Sequence, residues 1–173
     1  KEYANYMKDF LSLNEDSFVI DIGSNDGTCL SFFKDKGINV LGIDPAEKIS
    51  QIANENGIHT LNEFFNIDIA KEIKQNFQEV NLITSHNACA HIDDLRSVID
   101  GVDHLMNDKT IFVMEVGYFV DVFQNKWFDT IYHEHVDFHT VAPLKKLFES
   151  VGMELFKVER IEPQGGSIRV MVQ

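Results

Sequence analysis

The sequence is short of cationic charge: 15 Lys and Arg stand against 28 Asp and Glu, a formal net charge of −13. Non-specific affinity for DNA and RNA comes mainly from Lys and Arg neutralising phosphates, so phosphodiester polymers are poor partners for this chain. The same deficit disfavours anionic membrane surfaces, although a small local basic pocket can still hold a phosphorylated small molecule. Cysteine is scarce as well. Only Cys29 and Cys89 occur, each in an apolar stretch where a free thiol behaves as a small hydrophobe, which argues against a disulfide framework. No apolar run approaches the ~20 residues of a membrane span, and no charged-then-apolar leader opens the chain. A soluble cytoplasmic protein is the expectation. Internal repeats and low-complexity linkers are also missing.

What is present is the make-up of an ordinary globular domain, 44% hydrophobic and 25% charged over 173 residues. That length suits a single core, so residues 1–173 are expected to form one domain. The first residue is Lys1 rather than Met, and the expectation is that flanking sequence is missing.

Apolar spacing at Tyr3, Met7, Phe10 and Leu11 predicts a leading amphipathic helix. Phe18–Ile22 then reads as a strand ending at the turn Gly23-Ser-Asn-Asp-Gly27, followed by a helix from Thr28 to Lys36 and a strand from Asn39 to Ile43. Further helices are expected near 46–56, 67–75 and 95–105, with strands near 59–61, at 82–85 and at 110–115. Strand–helix alternation with near-continuous apolar strands predicts a mostly parallel sheet covered on both faces. Residues 117–140 crowd aromatics and histidines without a clean period and read as a long functional loop. A helix from Leu144 to Val151 follows. Two strand-like runs, 153–161 and 167–172, then meet at Pro163-Gln-Gly-Gly166 as an antiparallel hairpin at one sheet edge.

In doubly wound sheets, ligands bind beyond the carboxyl ends of the strands where strand order reverses. The first such end here is Asp21-Ile-Gly-Ser-Asn-Asp-Gly27, with Gly23 and Gly27 leaving backbone open to a ligand. Asp44, at the end of the second strand, is placed to accept two hydrogen bonds from ribose hydroxyls. The combination points to an adenosine-containing cofactor. The spacing is not the Gly-x-Gly-x-x-Gly of dinucleotide folds, and Asp26 sits where it would repel a pyrophosphate, so a cationic cofactor fits better than NAD. Asp21, Gly23, Ser24, Asn25, Gly27, Asp44, Pro45, Phe64 and Asn87 are the expected cofactor residues. Phe64 and Phe65 follow the third strand, where an aromatic either fills the core or stacks on adenine.

The second constellation is Tyr132-His133-Glu134-His135, together with His91 after the fourth strand. A histidine held by a carboxylate can take a proton at neutral pH, since its ordinary pKa is about 6.5. His59, His104 and His139 read instead as ordinary surface residues. His133 and His135 stand in a loop with no matched Cys pair or third clear ligand, so no metal site is assigned.

Asp21-Ile-Gly-Ser-Asn-Asp-Gly-Thr28, Gly42–Ala46, Asn87–His91, Phe128–His135 and Gly165–Arg169 together resemble the sugar C-methyltransferases of deoxysugar biosynthesis, and the resemblance covers most of the chain. It implies a class I, Rossmann-like methyltransferase fold: a mostly parallel seven-stranded sheet, helices on both faces and an antiparallel C-terminal hairpin. It further implies S-adenosylmethionine as the methyl donor, leaving as S-adenosylhomocysteine, and a nucleotide-linked 4-keto-deoxysugar as the small-molecule partner. Carried over by position, His135 becomes the base that forms an enolate, and Glu134 orients it or stabilises charge. Tyr132 and His91 then lie near the sugar and its enolate oxygen. Members of that family carry a zinc-binding domain before this one and another domain after it, so the chain is expected to be an excised core. Methylation at oxygen or nitrogen of another small molecule, or cofactor binding without catalysis, are the alternatives.

Overall fold

The computed structural model describes residues 1–162 and 166–173. Its centre is a seven-stranded sheet made of β1 (Phe18–Ile22), β2 (Asn39–Ile43), β3 (Thr60–Leu61), β4 (Leu82–His86), β5 (Ile111–Gly117), β6 (Leu155–Ile161) and β7 (Ser167–Val172). The strand order is β3-β2-β1-β4-β5-β7-β6. Pairing is parallel from β3 through β5, while β7 lies antiparallel between β5 and β6. Residues 163–165 of the expected hairpin turn lie outside the described residues.

Alternate residues of each buried strand feed opposite faces, as a period of two requires. Val19, Leu82, Val113 and Met171 pack with Met7 of α1 (Glu2–Leu11), Leu30 and Phe33 of α2 (Thr28–Lys34) and Ala53 of α3 (Glu47–Glu55). Ile20, Ile83, Phe112 and Val170 face the other way. They meet Ala70 and Ile73 of α4 (Ile67–Asn76), Val98, Ile99 and Val102 of α5 (Leu95–Leu105), and Leu144 and Phe148 of the last helix, Val141–Glu149. Two apolar layers therefore clamp the sheet and fix where its carboxyl edge points. Caps set the starts of two helices on that edge. Asn66 accepts from the backbone N–H of Asp68 and Ile69, and Asp94 accepts from that of Ser97, each contributing about 1 kcal/mol.

Residues 117–140 are less irregular than the sequence suggests. Phe119–Asn125 forms α6 and Phe128–Thr130 a 3-10 turn. Two turns are too short to display a helical period, and this one is fixed from outside: Phe119 N–H donates to the His139 carbonyl, and the Phe119 ring lies 5.2 Å from that of Phe138. The last helix, α7 (Val141–Glu149), starts earlier than Leu144, with Pro143 in its first turn where a missing N–H costs nothing.

Candidate functional site

The chain runs outward from β1 to β3 and returns to β4 beside β1, so the strand order reverses between β1 and β4. A cavity of about 820 Å³ opens at their carboxyl ends. Of the expected cofactor residues, Gly23, Asn25, Asp44, Pro45, Phe64 and Asn87 line it, and so does His91. The turn after β1 is held from below: the N–H groups of Gly23 and Ser24 both donate to the Ile43 carbonyl, at 2.8 and 3.2 Å. Asp44 holds it from the side, accepting from Asn25 N–H and Ala46 N–H at 2.9 Å each. A carboxylate has about four acceptor sites, so Asp44 keeps capacity for a ligand's hydroxyls. Gly23 has φ +74°, and a Cβ there would come within 2.4 Å of the Ala88 Cβ. Glycine is what lets the turn pass this close to the loop after β4.

Asp21, Ser24 and Gly27 do not line the cavity. Gly27 serves the fold instead, since at φ +79° it opens α2 and a Cβ would meet Ile58 at 2.9 Å. Phe64 and Phe65 both line the cavity, Phe64 at 74% exposure on its wall and Phe65 buried in the core beneath it.

Among the described residues, four buried side-chain polar atoms lack a hydrogen-bond partner: Asp21 Oδ1, Ser24 Oγ, Asn87 Oδ1 and His139 Nε2. Each such orphan costs about 1–3 kcal/mol. Three of the four sit just where β1 and β4 end, and such orphans mark places where a bound polar group restores what folding forfeited. Burial pushes the Asp21 carboxyl up to about 7, with the nearby carboxyls of Glu115 and Asp44 adding to the rise and His86 opposing it. A cation beside it would relieve that penalty.

The aromatic loop is stitched onto the loop after β4. Val136 N–H donates to the Ala90 carbonyl at 2.9 Å, and His91 Nδ1 to the Glu134 carbonyl at 2.8 Å. The rings of His91 and His135 thereby come to 4.9 Å, and Tyr132 lies 4.6 Å from His135. His135 Nδ1 donates to the Thr130 carbonyl at 2.7 Å. A carbonyl only accepts, so the neutral ring carries its proton on Nδ1 and presents the Nε2 lone pair. The orienting partner is thus Thr130 and not Glu134, whose carboxylate instead lies 4.0 Å from the exposed His133. His135 lines a small neighbouring cavity of about 60 Å³ with Thr130, Gly117 and Phe138, and Asn87 lines both this and the larger one. His139, expected at the surface, is buried at 7% exposure between these loops.

Sequence reasoning missed a charged cluster behind the turn. His86 Nδ1 lies 2.9 Å from Glu115 Oε2, and Arg169 Nε donates to Glu115 Oε1 at 2.6 Å. Glu115 and Arg169 are cross-strand partners in β5 and β7. The available signal was a carboxylate and a guanidinium inside two otherwise apolar runs, which burial forbids unless they are paired. Burial alone would depress the His86 imidazolium, but its bonds to Cys29 and Glu115 and the field of Asp21 outweigh this and hold it up at about 10. The stability that protonated His86 supplies is complete below its ordinary value of 6.5 and is lost as pH rises toward 10. The urea midpoint should therefore fall steadily between pH 7 and 10, and His86→Gln should flatten that slope.

Residues 1–158 match the model for a methyltransferase domain. The chain belongs to that family. A curated relative, the C-methyltransferase NovU of Streptomyces niveus, is 34% identical over 160 residues, covering 92% of this chain and 38% of the relative. The methyltransferase domain thus spans well under half of that relative's length. Its fold is shared by solved methyltransferase structures. A SAM-dependent methyltransferase from Anabaena variabilis superposes with a TM-score of 0.74 at 14% identity, covering 99% of this chain and 82% of that one. The magnesium protoporphyrin IX methyltransferase ChlM from Synechocystis, with bound SAH, gives 0.73 at 13% identity, covering 99% and 81%. No helix among the described residues is long and apolar enough to cross a membrane.

Proposed function

We propose that this methyltransferase domain binds S-adenosylmethionine in the larger cavity and directs its methyl group to a carbon beside the ketone of a nucleotide-linked 4-keto-deoxysugar. The observation that carries the reading is the placement of His135: it lines a cavity that shares Asn87 with the candidate donor site, and its Nδ1 bond to the Thr130 carbonyl leaves Nε2 as the acceptor. Identity to a C-methyltransferase supports carbon as the methylated atom. The resemblance carried by Phe128–His135 and the Gly-Gly-Ser strand supports the keto-sugar.

The bound donor supplies an electrophilic methyl group on sulfur. Asp44 takes the ribose hydroxyls with its remaining lone pairs, Pro45 and Phe64 offer apolar surface to adenine, and Asn87, whose Oδ1 lacks a partner, meets the polar remainder. His135 Nε2 accepts the proton from the carbon next to the ketone, since a carbon acid of this kind needs a positioned base and a donor for the developing oxyanion. Tyr132, 4.6 Å away ring to ring, supplies the hydroxyl donor. His91 also spends its Nδ1 proton on a carbonyl, so its neutral ring accepts from a sugar hydroxyl. Glu134 sets the position of His91 through its backbone carbonyl and adds negative charge beside His133.

Proton removal can be tested apart from methyl transfer. Full-length protein incubated in D2O with the keto-sugar nucleotide and S-adenosylhomocysteine should exchange deuterium into the carbon beside the ketone, read by NMR. His135→Gln should lose the exchange. An enzyme that methylates oxygen or nitrogen would show none in either form.

A further inference from the structure

The acceptor proposed above carries a pyrophosphate, and a chain of net charge −13 must meet it with a positioned cation. Neither the larger cavity nor the small one that His135 lines has a Lys or Arg in its wall. His86, in the larger wall, is paired with Glu115, and Arg169 is held between Glu115 and Glu159.

Arg160 is placed differently. It stands on β6 one residue before Ile161, which lies across Ser167 from Gly117 at the carboxyl edge. Successive strand residues face opposite ways, so Arg160 shares the face of Ile168 and Val116, whereas Arg169 and Glu115 point to the other. On its own face it reaches α6. Nη2 donates to the Asp121 carboxylate, and the guanidinium carbon lies 4.9 Å from the centre of the Tyr118 ring. Both partners back the small cavity. Tyr118 N–H donates to the Gly166 carbonyl at 3.2 Å, and a Cβ on Gly166 would meet Asp121 Oδ2 at 2.7 Å. Gly117, Phe119 and Gly166 belong to that cavity's wall together with His135. The guanidinium is thus fixed just behind the wall of the cavity that holds the base. Asp121 is buried while the Arg160 side chain stays 62% exposed, so an incoming phosphate meets the guanidinium and not the carboxylate. A guanidinium has five N–H donors in a planar fork, which match phosphate oxygens two at a time.

We propose that Arg160 is the phosphate anchor of the acceptor site, donating to the pyrophosphate of the sugar nucleotide while Asp121 and Tyr118 hold it in place. This rests on the reading of the acceptor as a nucleotide-linked sugar whose reacting carbon lies at His135, with the first phosphate on the far side of the sugar ring. The edge strand β6 thereby takes part in acceptor recognition, and a keto-sugar without its nucleotide forfeits the contact.

Calorimetric titration of the full-length protein with uridine and thymidine diphosphates, the matching nucleosides and S-adenosylhomocysteine tests it. The wild type should bind one of the diphosphates roughly tenfold or more tighter than its nucleoside. Arg160→Met should weaken that diphosphate roughly tenfold and leave the nucleoside and S-adenosylhomocysteine unchanged. A diphosphate bound equally by wild type and Arg160→Met would overturn the inference and leave the nucleotide-linked acceptor standing. Equal loss for all three kinds of ligand would make Arg160 a support of buried Asp121 and overturn it as well. Where Arg160→Met does not fold, Arg160→Lys decides, because it keeps a cation beside Asp121 without the planar fork. It should lose several-fold in diphosphate affinity alone, and full retention would sink the inference. A wild type that binds neither diphosphate better than its nucleoside would instead strike the nucleotide-linked acceptor, and the inference would fall with it.

Discussion

Replacing His135 with alanine should lower methyl transfer by roughly 10²–10⁴-fold while S-adenosylhomocysteine binds as before. The separation follows from where the ring stands. His135 lines the small cavity with Thr130, Gly117 and Phe138 and takes no part in the wall of the larger one. Its loss removes a lone pair aimed by the Thr130 carbonyl, a bond that fixes both tautomer and ring plane. Glutamine at 135 keeps polarity and much of the volume but cannot take up a proton, so it should be as inactive as alanine. Steady-state rates with the full-length protein, beside calorimetry with S-adenosylhomocysteine, read both halves. Activity within a few fold of wild type in either variant would remove His135 as the base, and loss of donor affinity with activity would mean that the loop supports the donor site.

Asp44→Ala should weaken S-adenosylhomocysteine about 100-fold and lower stability by about 2 kcal/mol. Two effects combine here. The carboxylate accepts from Asn25 N–H and Ala46 N–H, and both would lose their partner in a site that is 8% exposed. The turn that carries Gly23 would then be held only through the Ile43 carbonyl. The remaining acceptor capacity, assigned to the ribose hydroxyls, would vanish as well. Asp44→Asn separates the contributions because it keeps one acceptor for the backbone and removes the charge. It should recover most of the urea midpoint and only part of the affinity. Full affinity in Asp44→Ala would show that the ribose is held elsewhere.

The larger cavity and the charged cluster were unequally legible from residue order. The turn 23–27 and Asp44 are near neighbours along adjacent strands, and strand–turn–helix–strand spacing places them together. Thr130 as the partner of His135 depends on the irregular fold of its own loop, and the stitching of that loop to Ala90 and His91 depends on bonds between residues more than 40 positions apart, for which no local period exists. His139 misled for the same reason: its polarity suggested a surface site, but its backbone bridges to Tyr118 and its side chain is enclosed.

Local sequence determined the elements, because alternating and helical apolar spacing dictates which face each segment must bury, and the Gly23 turn and Asp44 followed from that. The family was also legible, through short motifs that keep their spacing. Only the tertiary structure decided that β7 lies between β5 and β6, which sets Glu115 opposite Arg169 and Arg169 opposite Glu159. The reason is physical. Apolar periodicity states that a strand is buried but not which strand is its neighbour, and a buried charge states that it needs a partner without naming one.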